Sequence, residues 1–257
     1  MNFSQKKFFV IAHRGASAYF PENTMSAFRA AVDMNADMIE LDVLMSKDNV
    51  PVVFHDEKLD RKTNGSGLVA DHTISELKKL DAGSWFHPKF KNERISTLRE
   101  VLEYSKDKVK VNIEIKSEAV TDIEESGVVD LVLTLVGELE MEDKVLISSF
   151  DYRVLERVKK SKHTVKVAML YEHRQSKGRT PVTLAGDYNI DAFNLNKKEL
   201  TAGWIKQLND HKIPFLVYTV NDEKLMKSII ESGAKGIFTD KPDVLNVVVK
   251  DMIKKNC

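Results

Sequence analysis

Residues 8–43 read FFVIAHRGASAYFPENTMSAFRAAVDMNADMIELDV, and the spacing of the apolar residues in this stretch changes twice. Phe8–Ala12 and Met38–Val43 are short apolar runs of strand length that contain β-branched residues. Between them, Thr24–Met34 carries its apolar residues at helical spacing. A strand, a helix and a second strand in this order predict parallel pairing of the two strands. The stretch therefore predicts an α/β protein.

The same alternation continues along the chain. Six further runs have strand character: Lys110–Ile115, Val145–Ser149, Val165–Leu170, Ala192–Leu195, Phe215–Thr219 and Gly236–Thr239. Amphipathic stretches separate most of them: Glu124–Leu139, Asp151–Lys160, Ala202–His211 and Asp222–Glu231. Eight strands within 257 residues match a (β/α)8 TIM barrel, so we predict one barrel domain over residues 1–257. The alternative is an open doubly wound sheet, but no glycine-rich dinucleotide loop follows the first strand.

One segment, approximately residues 50–99, interrupts the alternation after the second strand. It contains an extra apolar run, Val52–Phe54, that ends at His55, and a turn-rich stretch at 63–67. A helical pattern follows at Ile74–Leu80. Because the segment has too few apolar residues for a core of its own, we interpret it as an insertion that lies over the top of the barrel.

Charge and composition limit the partners and the location of the protein. Lys plus Arg and Asp plus Glu both number 39, so no overall field attracts nucleic acid or an anionic membrane. No stretch approaches the ~20 apolar residues of a membrane span, and the N-terminus lacks an adequate signal-peptide pattern. The only cysteine, Cys257, has no partner within the chain, which fits a reducing compartment. We expect a cytoplasmic protein without a nucleic-acid partner or stable membrane association; the oligomeric state stays open.

Three acidic side chains lie on neighbouring predicted strands. Glu40 and Asp42 are two residues apart on the second strand, and Glu114 lies on the third. Alternate residues of a strand share a face, and the catalytic groups of a barrel lie at the C-terminal ends of its strands. Carboxylates that converge there would repel one another unless a cation lay between them, and Mg²⁺ and Ca²⁺ prefer oxygen ligands. The spacing predicts one divalent cation, Mg²⁺ or Ca²⁺, bound by these three carboxylates.

Cationic and titratable side chains follow the same strands. Arg14 follows the first strand and Lys116 the third, and both are suited to binding phosphate oxygens. His13 and His55 are candidates for an acid–base pair, because histidine is the residue type that most often transfers protons in enzymes. Each motif alone is weak evidence, but several strands place these groups at one end. A single histidine is more often structural, and we interpret the others in that way: His72, His87, His163, His173 and His211.

The order of these motifs along the chain resembles the glycerophosphodiester phosphodiesterase family. The matching segments are His13–Ala16, Pro21–Thr24, Glu40–Val43, His55–Asp56, Asp60–Gly65, Asp81–Phe86, Asn112–Lys116, Ser148–Asp151, Tyr218–Asn221 and Thr239–Pro242. They extend over nearly the whole chain, which makes the ordered set specific. The family often has tryptophan where this chain has Tyr218, so the shape and hydrogen bonding of that aromatic wall differ here.

The resemblance implies a TIM barrel with a small inserted subdomain and a bacterial-type, cytoplasmic enzyme. Its substrates would be small-molecule glycerophosphodiesters, such as glycerophosphocholine or glycerophosphoethanolamine, hydrolysed to sn-glycerol 3-phosphate and an alcohol. The three carboxylates would bind the metal, Arg14 and Lys116 the phosphate, and the two histidines would act as acid and base, with His55 favoured as the acid. The substrate pocket would include Glu22, Phe150 and Tyr218.

Three alternatives remain beside this interpretation. A Schiff-base aldolase would need a depressed pKa at Lys116, which the neighbouring carboxylates oppose. A barrel kept as a non-catalytic binding module would be expected to have lost one of the histidines or carboxylates, and all are present. A phosphodiesterase that acts on lysophospholipids would favour an exposed apolar rim and a secretion signal, and the sequence shows neither clearly.

Overall fold

The structure is a computed structural model that describes residues 8–121 and 126–255. Its strands are β1 (Phe9–Ala12), β2 (Met38–Met45), β3 (Pro51–Val53), β4 (Ser96–Thr97), β5 (Lys110–Ile115), β6 (Val145–Ser149), β7 (Lys166–Leu170), β8 (Ala192–Asn196), β9 (Phe215–Tyr218) and β10 (Gly236–Thr239). Its α-helices are α1 (Met25–Asp33), α2 (Ile74–Leu77), α3 (Leu98–Ser105), α4 (Val128–Glu138), α5 (Tyr152–Lys160), α6 (His173–Ser176), α7 (Pro181–Tyr188), α8 (Ala202–Asp210), α9 (Glu223–Glu231) and α10 (Pro242–Lys255).

Eight parallel strands close into a barrel in the order β1, β2, β5, β6, β7, β8, β9 and β10. Closure occurs at β1, which pairs with β2 on one side and with β10 on the other. Helices connect successive barrel strands, as parallel pairing requires. The prediction of a TIM barrel is therefore confirmed, and the open-sheet alternative is wrong. The assignment of the whole chain to one domain stays a prediction.

Alternation of side chains along the barrel strands separates two apolar layers. One set fills the barrel: Phe9, Ile11, Met38, Leu146, Ala168, Ala192, Leu216 and Phe238. The other set belongs to the larger core that includes the helices, and on β2 and β5 it contains the predicted residues Ile39, Leu41, Ile113 and Ile115. Glu40 and Asp42 have the same parity on β2 as the interior residue Met38. Their side chains therefore belong to the barrel interior, nearer its C-terminal end.

Polar residues cap the helices that follow the strands. Thr24, Asp151, Thr201 and Asp222 cap α1, α5, α8 and α9, and each side chain accepts a hydrogen bond from a backbone N–H of the first turn. Gly233, with φ of +94°, follows the last helical residues of α9 and ends that helix, as predicted. Short, capped connections of this kind fix the loops that surround the mouth of the barrel.

The predicted insertion begins as a hairpin extension of β2. Strand β3 pairs antiparallel with β2, and β4 pairs antiparallel with β3. Immediately after β3, the backbone N–H of Phe54 donates to the carbonyl of Asp42 at 3.0 Å. This hydrogen bond fixes the next residue, His55, at the C-terminal end of the barrel. The helical pattern predicted for Ile74–Leu80 forms the shorter helix α2.

The strand predictions agree with the structure to within two residues at each end. Helices α3, α6, α7 and α10 were not predicted. Helix α4 occupies most of the predicted Glu124–Leu139; the first two residues of that range, like Cys257, lie outside the described residues. In the part of the chain that the structure describes, no helix has the length and apolar character needed to cross a membrane. The cytoplasmic location and the absence of nucleic-acid and membrane partners stay predictions.

Candidate active site

Three carboxylates converge at the mouth of the barrel. Asp42 on β2 pairs in register with Glu114 on β5, and Glu40 lies two residues earlier on β2. One oxygen from each side chain lies within 4.8 Å of one oxygen from each of the others. Within residues 8–121 and 126–255, this is the only such group of histidine, cysteine, aspartate and glutamate ligands. The predicted ligand set is thus brought together by strand register alone.

The electrostatics of this cluster favour a bound cation. Burial and the charge of Asp42 raise the pKa of Glu40 to about 8, and the same two causes raise the pKa of Glu114. Burial also opposes ionisation of Asp42, but the charges of Arg14 and His55 outweigh it and lower its pKa. A divalent cation would stabilise the ionised form of all three groups. The donor set contains oxygen atoms only and leaves room for further ligands, which fits Mg²⁺ or Ca²⁺.

Arg14 lies directly beside the carboxylates because of a sharp turn after β1. Its backbone has a φ of +55°, and its backbone N–H donates to Glu40 Oε2 at 2.8 Å. Its side chain reaches Asp42 Oδ2 at 3.2 Å from Nε and Glu22 Oε1 at 3.0 Å from Nη1. The next residue, Gly15, has a φ of +82°, and a Cβ there would lie 2.6 Å from the backbone of α1. The turn that aims Arg14 therefore requires glycine.

Lys116 completes the charged network on the other side of the carboxylates. Its Nζ donates to Glu114 Oε1 at 3.0 Å and lies 3.6 Å from Asp42 Oδ1. Burial alone would lower the pKa of Lys116, but the two carboxylates outweigh burial and raise it. A raised pKa keeps the amine protonated, which disfavours a Schiff-base aldolase. The side chain is instead suited to holding an anionic ligand.

His13 is held by a carboxylate that the sequence analysis left without a role. Its Nδ1 lies 2.7 Å from Oδ1 of Asp240, the residue that follows β10. Asp240 also accepts hydrogen bonds from the Ser17 hydroxyl and the Asn221 amide. Burial alone would lower the pKa of His13, but Asp240 and Glu40 outweigh it and raise the pKa. Asp240 directly follows a predicted barrel strand, and that position was the signal available in the sequence.

His55 is held in a similar way by a residue of the inserted segment. Its Nδ1 lies 2.8 Å from Asp56 Oδ1, and Arg61 makes two hydrogen bonds to the same carboxylate at 2.9 Å. The two carboxylates differ in their other partners: Asp56 is paired with the charged side chain of Arg61, whereas Asp240 accepts from the neutral side chains of Ser17 and Asn221. In both histidines the Nδ1 atom is engaged, so Nε2 is the ring atom free to face a ligand.

The predicted pocket residues lie at two places around the mouth. Glu22 contacts Arg14, as described, and also Lys62 of the inserted segment at 3.4 Å. The rings of Phe150 and Tyr218 meet edge to face, with their centroids 6.4 Å apart. Burial raises the pKa of Tyr218, so its hydroxyl stays protonated and can donate a hydrogen bond. Tyr218 lines the same cavity as Glu40 and Glu114, and Phe150 packs against it.

The cavity beside the carboxylates has further polar side chains in its lining. It is lined by His13, Glu40 and Glu114 and by two asparagines, Asn112 and Asn194, which we call the floor of the site, together with apolar and aromatic residues. Both asparagines are buried, and the side chain of Asn112 donates to the Ser148 hydroxyl at 2.9 Å. Among the described residues, Asn112 Oδ1 and both amide atoms of Asn194 have no hydrogen-bond partner. The floor of the site therefore has hydrogen-bonding capacity that the protein does not use.

Comparison with known proteins identifies the same architecture. The sequence profile of the "Glycerophosphoryl diester phosphodiesterase family" matches residues 13–244. A glycerophosphodiester phosphodiesterase of Caldanaerobacter subterraneus subsp. tengcongensis is 41% identical over 246 residues, which are 95% of this chain and 98% of the relative. A glycerophosphodiester phosphodiesterase of Bacillus subtilis is 36% identical over 259 residues, 96% of this chain and 88% of the relative.

A solved structure shows the same fold. The phosphodiesterase of Oleispira antarctica, determined in complex with the product sn-glycerol-3-phosphate, superposes with a TM-score of 0.84 at 27% identity, covering 93% of this chain and 96% of that one. The sequence-based resemblance is confirmed by the profile and by the two relatives. The chain belongs to the glycerophosphoryl diester phosphodiesterase family.

Proposed function

We propose that this protein hydrolyses small glycerophosphodiesters, such as glycerophosphocholine or glycerophosphoethanolamine, to sn-glycerol 3-phosphate and an alcohol. The observation that carries the proposal is the convergence of three carboxylates, two cations and two histidines at one end of the barrel. The product named in the Oleispira antarctica structure agrees with this chemistry. One domain containing the barrel and the insertion would supply every group.

In this proposal the charges of the site recognise the phosphodiester. Glu40, Asp42 and Glu114 would bind one Mg²⁺ or Ca²⁺ ion, which when bound neutralises negative charge on the phosphate. Arg14 and Lys116 donate hydrogen bonds to its non-bridging oxygens, where charge builds up in the transition state. The unused polar atoms of the floor suit the hydroxyl groups of glycerol better than an acyl chain. This supports a glycerophosphodiester rather than a lysophospholipid.

His13 and His55 perform the proton transfers in this proposal. One histidine removes a proton from the nucleophile, and the other protonates the leaving alcohol. The 2-hydroxyl of the glycerol is the proposed nucleophile, because an attack within one molecule can reach effective molarities of about 10⁵ M or more. A cyclic glycerol phosphate would form first, and water would then open it while the histidines exchange roles.

The test is an assay of sn-glycerol 3-phosphate release from glycerophosphocholine. Activity should disappear in excess chelator and return with Mg²⁺ or Ca²⁺; full activity in chelator would contradict the metal assignment. An analogue without the 2-hydroxyl should bind comparably but react very slowly. Rapid hydrolysis of that analogue would exclude the cyclic intermediate while leaving the residue assignments intact.

A further inference from the structure

Lys62, a residue of the inserted segment, is connected to Arg14 through Glu22. Its Nζ lies 3.4 Å from Glu22 Oε2, and the other oxygen of Glu22 accepts from Arg14 at 3.0 Å. Its Nζ also lies 3.6 Å from the centre of the Trp85 ring. The indole N–H of Trp85 donates to the Ala82 carbonyl at 2.9 Å, which fixes the ring. A fixed aromatic face and a carboxylate together hold the ammonium group in one position.

The position of this network makes its charge effective. The side chains of Arg14, Glu22 and Lys62 are 19%, 17% and 20% exposed. Solvent and salt screen partly buried charges less than they screen charges on an open surface. The three residues line one edge of the mouth, and His55 lies in the same cavity wall as Glu22 and Lys62. The charge of Lys62 therefore raises the electrostatic potential at the place where an anionic ligand would bind.

The balance of charge in the contact network shows what Lys62 contributes. Four carboxylates are involved: Glu22, Glu40, Asp42 and Glu114. Three cationic residues contact them, namely Arg14, Lys62 and Lys116; Glu40 accepts from the backbone N–H of Arg14, and the other carboxylates pair with the charged side chains. With a divalent cation on the three metal-binding carboxylates, the network has one net positive charge; without Lys62 it would be neutral. Glu22 would then neutralise Arg14, the side chain best placed to hold a phosphodiester.

We propose that Lys62 is a positioning residue for phosphate recognition, which binds Glu22 and thereby leaves the positive charge of Arg14 available to the anionic ligand. The inference rests on the proposed function, because it assigns the ligand of the site as a phosphate. It gives the inserted segment a second residue, besides His55, that takes part in substrate binding. Trp85 supports Lys62 and contributes no charge of its own.

The experiment compares Lys62→Met, Lys62→Arg and a control, Lys79→Met, which removes an exposed lysine from the same segment. Calorimetry in excess Mg²⁺ measures binding of inorganic phosphate and of sn-glycerol 3-phosphate. Lys62→Met should weaken both by about tenfold, as expected for one unit charge in a partly buried network. Lys62→Arg should restore most of the affinity, and Lys79→Met should not change it. The dependence of affinity on ionic strength should be shallower in Lys62→Met.

A second measurement tests the contact with the ring directly. Trp85 and Trp204 are the only tryptophans, so Trp204→Phe leaves Trp85 as the single indole fluorophore. In that background, Lys62→Met should change the emission of Trp85, and unfolding curves should show that every variant folds. Wild-type phosphate affinity in Lys62→Met, equal loss in Lys79→Met, or no phosphate binding by the wild-type protein would overturn the inference. Phosphate binding without hydrolysis of glycerophosphocholine would instead contradict the proposed function alone.

Discussion

Asp240→Asn tests whether the carboxylate behind His13 controls the reaction. The substitution keeps the shape of the side chain but removes the charge that raises the pKa of His13. An asparagine amide can also donate to Nδ1, which would favour the imidazole tautomer with its proton on Nε2. In serine proteases the equivalent change leaves the geometry intact but gives the wrong tautomer. We therefore expect kcat to fall by roughly 10²-fold or more, which is in the range that a positioned acid or base contributes to the rate.

The same substitution has a predictable effect on stability. The hydrogen bond from His13, together with those from Asn221 and Ser17, outweighs the effect of burial and lowers the pKa of Asp240 to about 2. Compared with an ordinary aspartate near 3.9, this difference corresponds to about 2–3 kcal/mol of folding free energy at neutral pH. Because the folded-state pKa is lowered, this stability is present above the ordinary pKa and is lost as the pH falls toward about 2. The raised pKa of His13 reflects the same ion pair, so its contribution is counted once.

Two assays measure these effects. Release of sn-glycerol 3-phosphate as a function of pH gives kcat and kcat/KM, and urea unfolding between pH 2 and 7 gives the free energy of unfolding. Asp243→Asn is the matched control, because Asp243 lies three residues after Asp240 and accepts its hydrogen bond from the Tyr19 hydroxyl instead of contacting a histidine. If Asp240→Asn keeps the wild-type kcat and pH profile, His13 takes no part in the proton transfers. A loss of kcat of equal size in Asp243→Asn would show that the effect comes from disturbing the start of α10 and not from the contact with His13.

Three further predictions concern the histidines, the first turn and the base of the barrel. His13→Ala and His55→Ala should each lower kcat by roughly 10²–10⁴-fold, and the double variant should lose much less than the product, whereas His163→Ala should keep wild-type turnover. Gly15→Ala should lower the free energy of unfolding by about 2 kcal/mol or more in urea titrations, because its methyl group would meet the backbone of α1; unchanged stability would contradict the described turn. Asp191→Asn should lose about 1–3 kcal/mol at neutral pH, because it removes the charge and one of the two oxygens that accept hydrogen bonds from two lysines and a backbone N–H. Since those partners lower the pKa of Asp191, the difference from wild type should vanish as the pH falls below its usual range, and a constant difference in acid would exclude this cause.

The barrel could be predicted from the sequence because the order of apolar and polar residues along each strand shows which side chains are buried. Alternation on β2 separates Ile39 and Leu41 from Glu40 and Asp42, and the C-terminal position of the acidic pair is enough to place it at the mouth. Helix α7 gave no comparable signal, because it has only eight residues and includes Gly186. Helix α3 was missed although its buried residues lie at helical spacing, so short length hid an amphipathic helix as well.

Two contacts between distant parts of the chain could not be predicted in the same way. His13 and Asp240 are separated by 227 residues, and they meet only because β10 closes the barrel against β1. Glu22 and Lys62 are 40 residues apart, and no repeating pattern connects a loop after β1 with a loop in the insertion. Local propensity carries no information about such pairs, because tertiary closure alone brings them within contact distance.

These contacts show that the metal-binding groups and His13 are held in place by different parts of the barrel. The groups assigned to metal binding, Glu40, Asp42 and Glu114, lie on two adjacent strands whose register fixes them directly. Asp240, which orients His13, follows the closing strand β10, whereas Glu22, which contacts Arg14, follows β1 and is bound in turn by Lys62 of the insertion. A small error in closure would therefore leave the carboxylate cluster intact while disturbing the contact of His13 with Asp240. For that reason we expect changes between β10 and β1 to impair proton transfer by His13 before they impair metal binding, because the metal-binding strands β2 and β5 follow β1 on the side away from β10.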